Sequence, residues 1–205
     1  MHTFYLVRHA QSLGNAGVPN AGPNPGLSAL GQLQAKALAR AVAAEVPVAE
    51  IWSSPFARAV ETACAVAQTS GASVRLEPQM HEFFFDDWFD LEALRLPSLT
   101  EVAAQHPSIA LDRDDARWWP REPEDYPGLY LRLEQVAHRL LNEARPGLTL
   151  IVGHGASVAA LTRALVPTFD PRIEVVHNAS ITEIRHADDE CEIVRFNDTA
   201  HLVGC

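Results

Sequence analysis

The segment Thr3-Phe-Tyr-Leu-Val7, followed at once by Arg8 and His9, decides the predicted fold. Its short apolar run of strand-forming residues predicts a buried first strand. This strand is followed by a guanidinium and an imidazole, which can both take part in binding or catalysis. A second apolar strand is predicted at Thr149-Leu-Ile-Val-Gly153, and it is followed by another histidine, His154. Ligands bind beyond the carboxyl ends of strands in an open α/β sheet, so these two ends predict where a site lies.

Helical and extended patterns alternate along the rest of the chain. Apolar spacing predicts helices at about 29–44, 57–68, 129–144 and 157–166. Ser28 is the expected N-cap of the first helix, and Gly71 is expected to end the second. Short strands are predicted at 51–53, 73–77, 181–185 and 192–196, the last two as a hairpin. This order favours an α/β fold, a three-layer α/β/α sandwich on a mainly parallel central sheet with an antiparallel edge strand.

The pattern is lost between about 78 and 127. This stretch is rich in proline, tryptophan and acidic residues, and only 91–106 within it is predicted to be helical. We therefore expect a single domain over residues 1–205 with an irregular cap or insertion at about 78–127, too irregular to own a core.

Composition excludes several classes of protein. The 205 residues are 47% hydrophobic, which is enough for a core. No apolar run approaches the ~20 residues that cross a bilayer, and the first residues lack the regions of a signal peptide. A formal charge of −10 argues against nucleic acid and anionic membranes as partners. Three scattered cysteines fit neither a disulfide framework nor a zinc site, so we expect a cytoplasmic protein.

Arginine and histidine follow three of the predicted strands. Arg8 and His9 end the first strand, Arg58 lies in the first turn of the helix after 51–53, and His154 ends the strand near 150. If these strands are neighbours in the sheet, two arginines and two histidines converge on one edge. Guanidinium forks match phosphate oxygens, and helix N-termini favour anions, so this edge is predicted to bind phosphate.

Each member of the cluster also has a purely structural interpretation. His9 and His154 would then be packed histidines, and Arg58 a surface side chain that pairs with Glu61 or Thr62. The triplet Arg185-His186-Ala187 repeats Arg8-His9-Ala10 in residue type, but three acidic residues follow it. We interpret this second copy as part of a solvated hairpin turn.

Four segments, in order along the chain, resemble the motifs of the histidine phosphatase (phosphoglycerate mutase-like) superfamily. They are Leu6-Val-Arg-His-Ala-Gln-Ser-Leu-Gly-Asn15, Leu27-Ser-Ala-Leu-Gly-Gln-Leu-Gln-Ala35, Ser53-Ser-Pro-Phe-Ala-Arg-Ala-Val-Glu-Thr-Ala63 and Val152-Gly-His-Gly155. The resemblance spans residues 4 to about 165. It implies a phosphoglycerate mutase-like fold and a metal-independent histidine phosphatase, a phosphoric monoester hydrolase with no cofactor.

The resemblance also implies a catalytic acid after the third strand. The run Glu82-Phe-Phe-Phe-Asp-Asp87-Trp88 is similar to the family's Glu-x-x-x-Gly-x-Trp and places the acid at Glu82. Asp86, which stands where the family has glycine, and Asp87 are rival acids. Further on, Glu124 stands where many members read Gly-Glu-Ser, with Arg132 in register behind it. These departures leave the substrate open.

The roles implied for the site are those of a phosphohistidine mechanism. His9 would be the nucleophile, kept neutral by the like charge of its arginine neighbours, and Glu82 the general acid and base. Arg8, Arg58 and His154 would hold the phosphoryl oxygens. Asn15 would donate a further hydrogen bond to phosphate, and Ser12 would help to order its loop.

The expected function is hydrolysis of an organic phosphate ester, with a small molecule as partner and edge strands that permit a homodimer. Two alternatives stay open. One is phosphoglycerate mutase-type transfer, although the segment 83–90 is aromatic and acidic rather than rich in cations. The other is a phospho-ligand or phosphoprotein-binding module with weak catalysis.

The cap carries rings and cations whose use the sequence leaves open. The rings either form a wall for the substrate or pack the segment itself, and they are Phe83, Phe84, Phe85, Trp88, Trp118, Trp119 and Tyr126. The cations either meet a second anionic group of the substrate or lie exposed, and they are Arg95, Arg117 and Arg121.

Overall fold

Six strands form the central sheet of the computed structural model, which describes residues 2–84, 90–112, 115–172 and 175–205. The strands are β1 His2–Arg8, β2 Val48–Ser53, β3 Val74–Leu76, β4 Gly147–Gly153, β5 Ile181–Ala187 and β6 Glu190–Asp198. The helices are α1 Ala29–Glu45, α2 Ala57–Ser70, α3 Leu99–Gln105, α4 Tyr126–Glu143 and α5 Gly155–Leu165, with short 3₁₀ turns at Pro78–Met80 and Ala200–Leu202.

The strand order β3-β2-β4-β1-β5-β6 confirms the predicted sheet. β1, β2, β3 and β4 are mutually parallel, whereas β5 runs antiparallel to β1 and β6 antiparallel to β5. The hairpin between β5 and β6 turns at Asp188 and Asp189, which both have positive φ, 52° and 61°. Such a turn matches the twist of the two strands that it joins.

Helices cover both faces of the sheet, because β1 sends alternate side chains to opposite sides. Tyr5 and Val7 join a core cluster with α1 and α2, and Phe4 and Leu6 join a second cluster with α4 and α5. The predicted three-layer sandwich therefore forms around two apolar layers that share one sheet.

Local signals set the helix ends as predicted for α1 and α2. The Ser28 hydroxyl accepts from the Gly31 amide, and Gly71 ends α2 in the left-handed conformation with φ 75°. Glycine is also required at Gly31, because a Cβ there would lie 1.9 Å from the carbonyl oxygen of Gln11. α1 can therefore approach the loop that follows His9.

The helix predicted over 91–106 is wrong in its first half. Only Leu99–Gln105 is helical, and Ser98 opens it with a capping box in which Glu101 returns the hydrogen bond. Pro97 precedes this cap and disfavours helical backbone at the residue before it. A helix start signal in the middle of the window therefore overrode the apolar spacing upstream.

Described residues of the segment 78–127 pack into the main core. Leu94, Leu99, Trp118 and Trp119 are buried in the same cluster as α1, α2 and one face of the sheet. The Trp118 indole donates to the carbonyl oxygen of Pro97 at 2.8 Å. The interpretation in which the cap rings pack mostly within their own segment does not hold for Trp118 and Trp119, because both belong to the cluster that contains α1, α2 and the sheet. The division into one domain with a cap stays a prediction.

The second Arg-His-Ala triplet lies in β5 and not in the hairpin turn. Arg185 pairs with Glu192 and His186 with Cys191 across the β5–β6 ladder. Arg185 also forms an ion pair with Glu192 at 3.2 Å on the surface.

No helix within the described ranges is both long enough and apolar enough to cross a membrane.

Candidate active site

Three neighbouring strands end side by side and bring the predicted cluster together. β1 lies between β4 and β5, and β4 lies between β1 and β2, so the carboxyl ends of β1, β4 and β2 adjoin. Backbone hydrogen bonds join these ends, from His9 N to Gly153 O at 2.9 Å and from Ser54 N to Val152 O at 2.9 Å. Arg8, His9 and His154 therefore meet at one edge of the sheet, as the sequence predicts.

His9 is held in one tautomer. Its Nδ1 lies 2.7 Å from the carbonyl oxygen of Ala10, which can only accept, so Nδ1 carries the proton. Its Nε2 accepts from Nε of Arg58 at 3.2 Å and therefore carries a lone pair. The residue is 2% exposed. The fold thus presents a neutral imidazole whose free nitrogen faces a guanidinium.

Burial is the main reason why both histidines of the cluster are neutral. It lowers the pKa of His9 well below the usual 6.5, and the positive charges of Arg58 and Arg8 lower that pKa further. Burial likewise lowers the pKa of His154, with Arg58 as the next contribution. The sequence predicts only the arginine effect, because burial depends on the packed structure.

Arg58 points into the cluster and not along its own helix. Its Nε and Nη2 contact His9 Nε2 and His154 Nδ1 at 3.2 and 3.0 Å, and its guanidinium lies 4.6 Å above the ring of Phe56. The alternative of a surface pair with Glu61 is wrong, since the Glu61 carboxylate accepts from the Leu27 amide. Burial lowers the Arg58 pKa to about 10, so the guanidinium is charged at neutral pH.

His154 is the N-cap of α5 and is fully buried. Arg58 can only donate, so Nδ1 of His154 accepts from it and Nε2 donates to the Ser54 hydroxyl at 2.9 Å. The His154 amide donates to Ser157 Oγ at 2.9 Å. Both ring nitrogens are therefore fixed, and the ring lies edge-on to His9 with centroids 5.1 Å apart.

Arg8 completes the positive side of the cluster. Its Nη1 donates to the carbonyl oxygen of Val176 at 2.6 Å, which fixes the guanidinium. Its Nε is buried and has no hydrogen-bond partner among the described residues. Burial lowers the Arg8 pKa, and the negative charge of Glu82 opposes that shift. A buried donor without a partner is what an anion-binding site needs.

Glu82 lines the same cavity of about 300 Å³ as Arg8, His9 and Arg58. Its Oε1 accepts from the amide of Phe83 at 2.9 Å and from the amide of Ala156 at 3.3 Å. The rival acids Asp86 and Asp87 lie outside the described residues, as do Phe85 and Trp88. Of the three candidate acids, the described part of the chain contains Glu82, and the geometry brings it to the histidine and arginine cluster.

A buried ion pair holds the loop that carries Glu82. Arg132 donates to both carboxylate oxygens of Glu124, at 3.0 and 2.8 Å, and also to the carbonyl oxygens of Gln79 and His81. Burial lowers the pKa of His81 to about 3, with the Arg132 charge as the second cause. The register of Glu124 and Arg132 noted in the sequence thus corresponds to a clamp on the residues just before Glu82.

The loop after His9 is ordered by Ser12 and Asn15. The Ser12 hydroxyl donates to Asn15 Oδ1 at 3.1 Å and accepts from the Asn15 amide at 3.1 Å. Asn178 donates to His9 O at 2.9 Å and to Asn15 Oδ1 at 3.2 Å. Donors thus surround the Asn15 oxygen, which leaves its NH₂ group as the part able to meet phosphate. Both predicted loop residues adjoin the cavity.

Sequence reasoning did not assign Ser54 and Asn178 to the site. Ser54 belongs to the Ser53-Ser54-Pro55 motif, but its contact with His154 joins residues 100 apart. Asn178 lies in a loop before β5, 169 residues from His9, and no local pattern marks it. Only the tertiary structure shows that these side chains hold the two histidines.

The cap's rings and cations divide between cavities and core. Phe83 and Phe84 line the cavity around His9, whereas Trp118 and Trp119 are buried in the core. Two of the cap arginines are used within the segment: Arg95 donates to the carbonyl oxygens of Glu92 and Leu94, and Arg117 to that of Leu91. The expectation that these two arginines meet a second substrate anion is therefore not supported by their contacts.

Within the part of the chain that the structure describes, no three or more histidine, cysteine or acidic side chains cluster in a way that could hold a metal ion. Asp112, for example, forms an ion pair with Arg75 at 3.0 Å.

Comparisons with known proteins agree with this geometry. A model of the histidine phosphatase superfamily (branch 1) matches residues 4–199. The glucosyl-3-phosphoglycerate phosphatase of Mycolicibacterium vanbaalenii is 34% identical over 172 residues, which cover 78% of this chain and 72% of that protein.

Solved structures of phosphatases have the same fold as this chain. A mycobacterial glucosyl-3-phosphoglycerate phosphatase in complex with VO₃ is 25% identical, with a TM-score of 0.70 over 97% of this chain and 100% of that one. The phosphoserine phosphatase of Entamoeba histolytica in complex with 3-phosphoglyceric acid shares the fold at 21% identity, with a TM-score of 0.69 over 98% of this chain and 100% of that one. The family match over nearly the whole chain and the site at the strand ends lead to one conclusion: this chain belongs to the histidine phosphatase superfamily.

Proposed function

We propose that this phosphatase hydrolyses a small organic phosphomonoester through a phosphohistidine on His9, with Glu82 as general acid and base. The observation that carries the proposal is the fixed tautomer of His9. Its proton lies on Nδ1, so the lone pair of Nε2 faces the cavity that also holds Arg8, Arg58 and Glu82. A neutral imidazole with a free nitrogen is the form that attacks phosphorus.

The two arginines supply the positive charge for phosphoryl transfer. In the described state, the Nε–H of Arg58 donates to His9 Nε2, and the Nε–H of Arg8 has no partner among the described residues. A phosphoryl oxygen is a stronger acceptor for both donors because it is charged. Binding of phosphate therefore frees the His9 lone pair and places guanidinium groups against the oxygens on which charge develops.

The chemistry proceeds in two steps. His9 Nε2 forms a bond to phosphorus while the bond from phosphorus to the ester oxygen breaks, and Glu82 gives its proton to that oxygen. Glu82 then takes a proton from water, whose oxygen attacks phosphorus and returns the electron pair to His9 Nε2. Inorganic phosphate and the alcohol are the products.

The relatives' names support hydrolysis over transfer, since those proteins are called phosphatases of glucosyl-3-phosphoglycerate and of phosphoserine. A direct test is the hydrolysis of para-nitrophenyl phosphate with and without a chelator. We expect turnover that the chelator does not reduce, because Arg8 and Arg58 carry the charge. Phosphate exchange between phosphoglycerates without release of phosphate would favour a mutase, and binding without turnover would favour a phospho-ligand module. Either result would overturn the proposal.

A further inference from the structure

A second cavity, of about 720 Å³, adjoins the catalytic one. Arg8 lines both cavities. Ala156 lines the second cavity, and its amide donates to the carboxylate of Glu82 at 3.3 Å. The group proposed to protonate the leaving oxygen therefore contacts the wall of this second cavity.

The lining of the second cavity is aromatic and aliphatic. Tyr126, Tyr130, Val175 and Val176 line it, together with small side chains of α5. Tyr126 is 62% exposed and Val175 is 73% exposed, so large apolar surfaces face the cavity and solvent. The ring of Tyr126 lies 5.0 Å from that of Phe83, a residue of the catalytic cavity. A continuous aromatic surface thus leads from one cavity into the other.

The described cations around the second cavity make other contacts or lie in solvent. Arg172 donates to both carboxylate oxygens of Asp170, at 2.9 and 2.9 Å. The guanidinium of Arg163 lies 4.2 Å above the ring of Tyr130. Arg8 donates to Val176 O and also lines the cavity around His9. The side chain of Arg172 is 86% exposed, so solvent screens its attraction for a carboxylate placed in this cavity, whereas an uncharged ring would gain contact with Tyr126 and Tyr130.

We propose that this cavity is the leaving-group subsite and that it takes an uncharged ring-bearing alcohol, with specificity set by Tyr126 and Tyr130. This assignment rests on the proposed hydrolysis at His9. It separates this chain from the relatives named above, because phosphoserine and glucosyl-3-phosphoglycerate each carry a carboxylate. The expected substrates are phosphomonoesters whose alcohol ends in a flat apolar ring and has no second anionic group.

Binding is the first test, because it does not depend on turnover. Calorimetry on the wild-type protein compares 3-phenylpropylphosphonate, propylphosphonate and 3-carboxypropylphosphonate. We expect the phenyl compound to bind about tenfold more tightly than the propyl compound, equivalent to about 1.4 kcal/mol, and the carboxyl compound to bind no better than the propyl compound. Equal affinity for phenyl and propyl compounds, or a preference for the carboxylate, overturns the subsite.

Substitutions test whether the two tyrosine rings cause the preference for the phenyl compound. Tyr126→Ala and Tyr130→Ala should each reduce the phenyl preference to threefold or less. Leu131→Ala is the matched control, since Leu131 lies on the same helix and is 60% exposed but does not line the cavity. It should keep the full preference. A preference that survives loss of both tyrosine rings places the ring elsewhere and overturns the assignment.

Turnover separates this inference from the proposed function. The kcat/KM for 3-phenylpropyl phosphate should exceed that for propyl phosphate by the same factor of about ten, because the alcohols have similar reactivity. Hydrolysis of both esters at equal rates overturns the subsite and leaves the proposed function standing. Preferential phosphonate binding without hydrolysis of either ester overturns the proposed function, and with it the assignment to a leaving group.

Discussion

The sequence Arg-His-Ala occurs twice, and the two copies have opposite environments. Arg8-His9-Ala10 lies at the carboxyl end of the parallel strand β1, where His9 is buried and contacts Arg58. Arg185-His186-Ala187 ends the antiparallel strand β5, in which His186 is in register with His2 at the other end of β1. There Arg185 pairs with Glu192 on the surface. The same three residue types thus lie at opposite ends of β1, the first copy in β1 itself and the second beside it in β5.

The difference shows that position in the sheet, and not the local triplet, creates the chemistry. At the carboxyl end of β1 the neighbouring strands β4 and β2 also end, so His154, Ser54 and Arg58 meet His9. At the other end of β1, the ring of His186 lies near that of His2, with centroids 6.0 Å apart and the ring planes tilted by 43°. The first copy should therefore carry the activity, and the second should be dispensable.

The largest expected effect is loss of the nucleophile. His9→Ala should reduce kcat/KM for para-nitrophenyl phosphate by at least about 10⁴-fold, because His9 is the one histidine among the described residues that line the cavity. His186→Ala, the same change in the second triplet, should keep the rate within about twofold. Steady-state assays of the two purified variants measure both rates. An active His9→Ala protein would contradict the assignment of the activity to the first triplet.

Loss of the acid should depend on the leaving group. Glu82→Gln should slow hydrolysis of alkyl phosphates by about 10²–10⁴-fold, because a poor leaving oxygen needs the proton. The loss should be much smaller for aryl phosphates, whose oxygens leave without one. Glu192→Gln, at the partner of Arg185, is the control and should change neither rate. Equal losses on both substrate classes would assign the acid to another residue.

Removal of one guanidinium should have an intermediate effect. Arg58→Ala should reduce kcat by about 10²–10³-fold, as expected when a donor to developing charge is lost. Arg58→Lys should recover part of this, since it restores charge without the fork. Arg185→Ala should have no effect on kcat. A rate for Arg58→Ala within a few-fold of wild type would remove this arginine from the phosphate site.

The smallest effect concerns pH and stability, and it extends the comparison to buried and exposed histidines. His81 has a folded-state pKa of about 3 against 6.5 when unfolded, so the unfolded chain binds its proton first. The part of the folding stability that depends on a neutral His81 is fully present above pH 6.5 and is lost as the pH falls toward 3. In His81→Asn, the free energy of unfolding should therefore decline less steeply as the pH falls. The slope should differ from that of the wild type by up to about 1.4 kcal/mol per pH unit in that window.

Denaturant unfolding at pH 7.5 and pH 5 measures this slope. His138, which is exposed on α4, provides the control, and His138→Asn should keep the wild-type slope. A His81→Asn protein with an unchanged slope would mean that His81 does not stay neutral in the folded state.

Most of the sheet and its site could be predicted because their signals are local. Apolar strands that end in Arg8-His9 and Gly153-His154, and caps such as Ser28, are visible in a few neighbouring residues. The helix predicted at 91–106 was wrong because the strong cap at Ser98 starts the helix later. A local start signal thus outweighed weak periodicity.

The rest of the site could not be predicted because its contacts join distant parts of the chain. Ser54 holds His154 across 100 residues, and Asn178 holds His9 across 169. The neutral state of His9 follows mainly from burial, which only the packed core creates. The ring-lined cavity at Tyr126 and Val175 likewise forms only when α4, α5 and the loop before β5 come together.

The proposed function depends on transfer of the phosphoryl group to Nε2 of His9. Rapid quench of a single turnover in base, followed by mass spectrometry of the peptides, identifies the modified residue directly. We expect an acid-labile phosphoryl group on His9 that forms and decays at the rate of turnover, and none on His186. A phosphoryl group on another residue, or turnover with no phosphoenzyme at any time point, would contradict it.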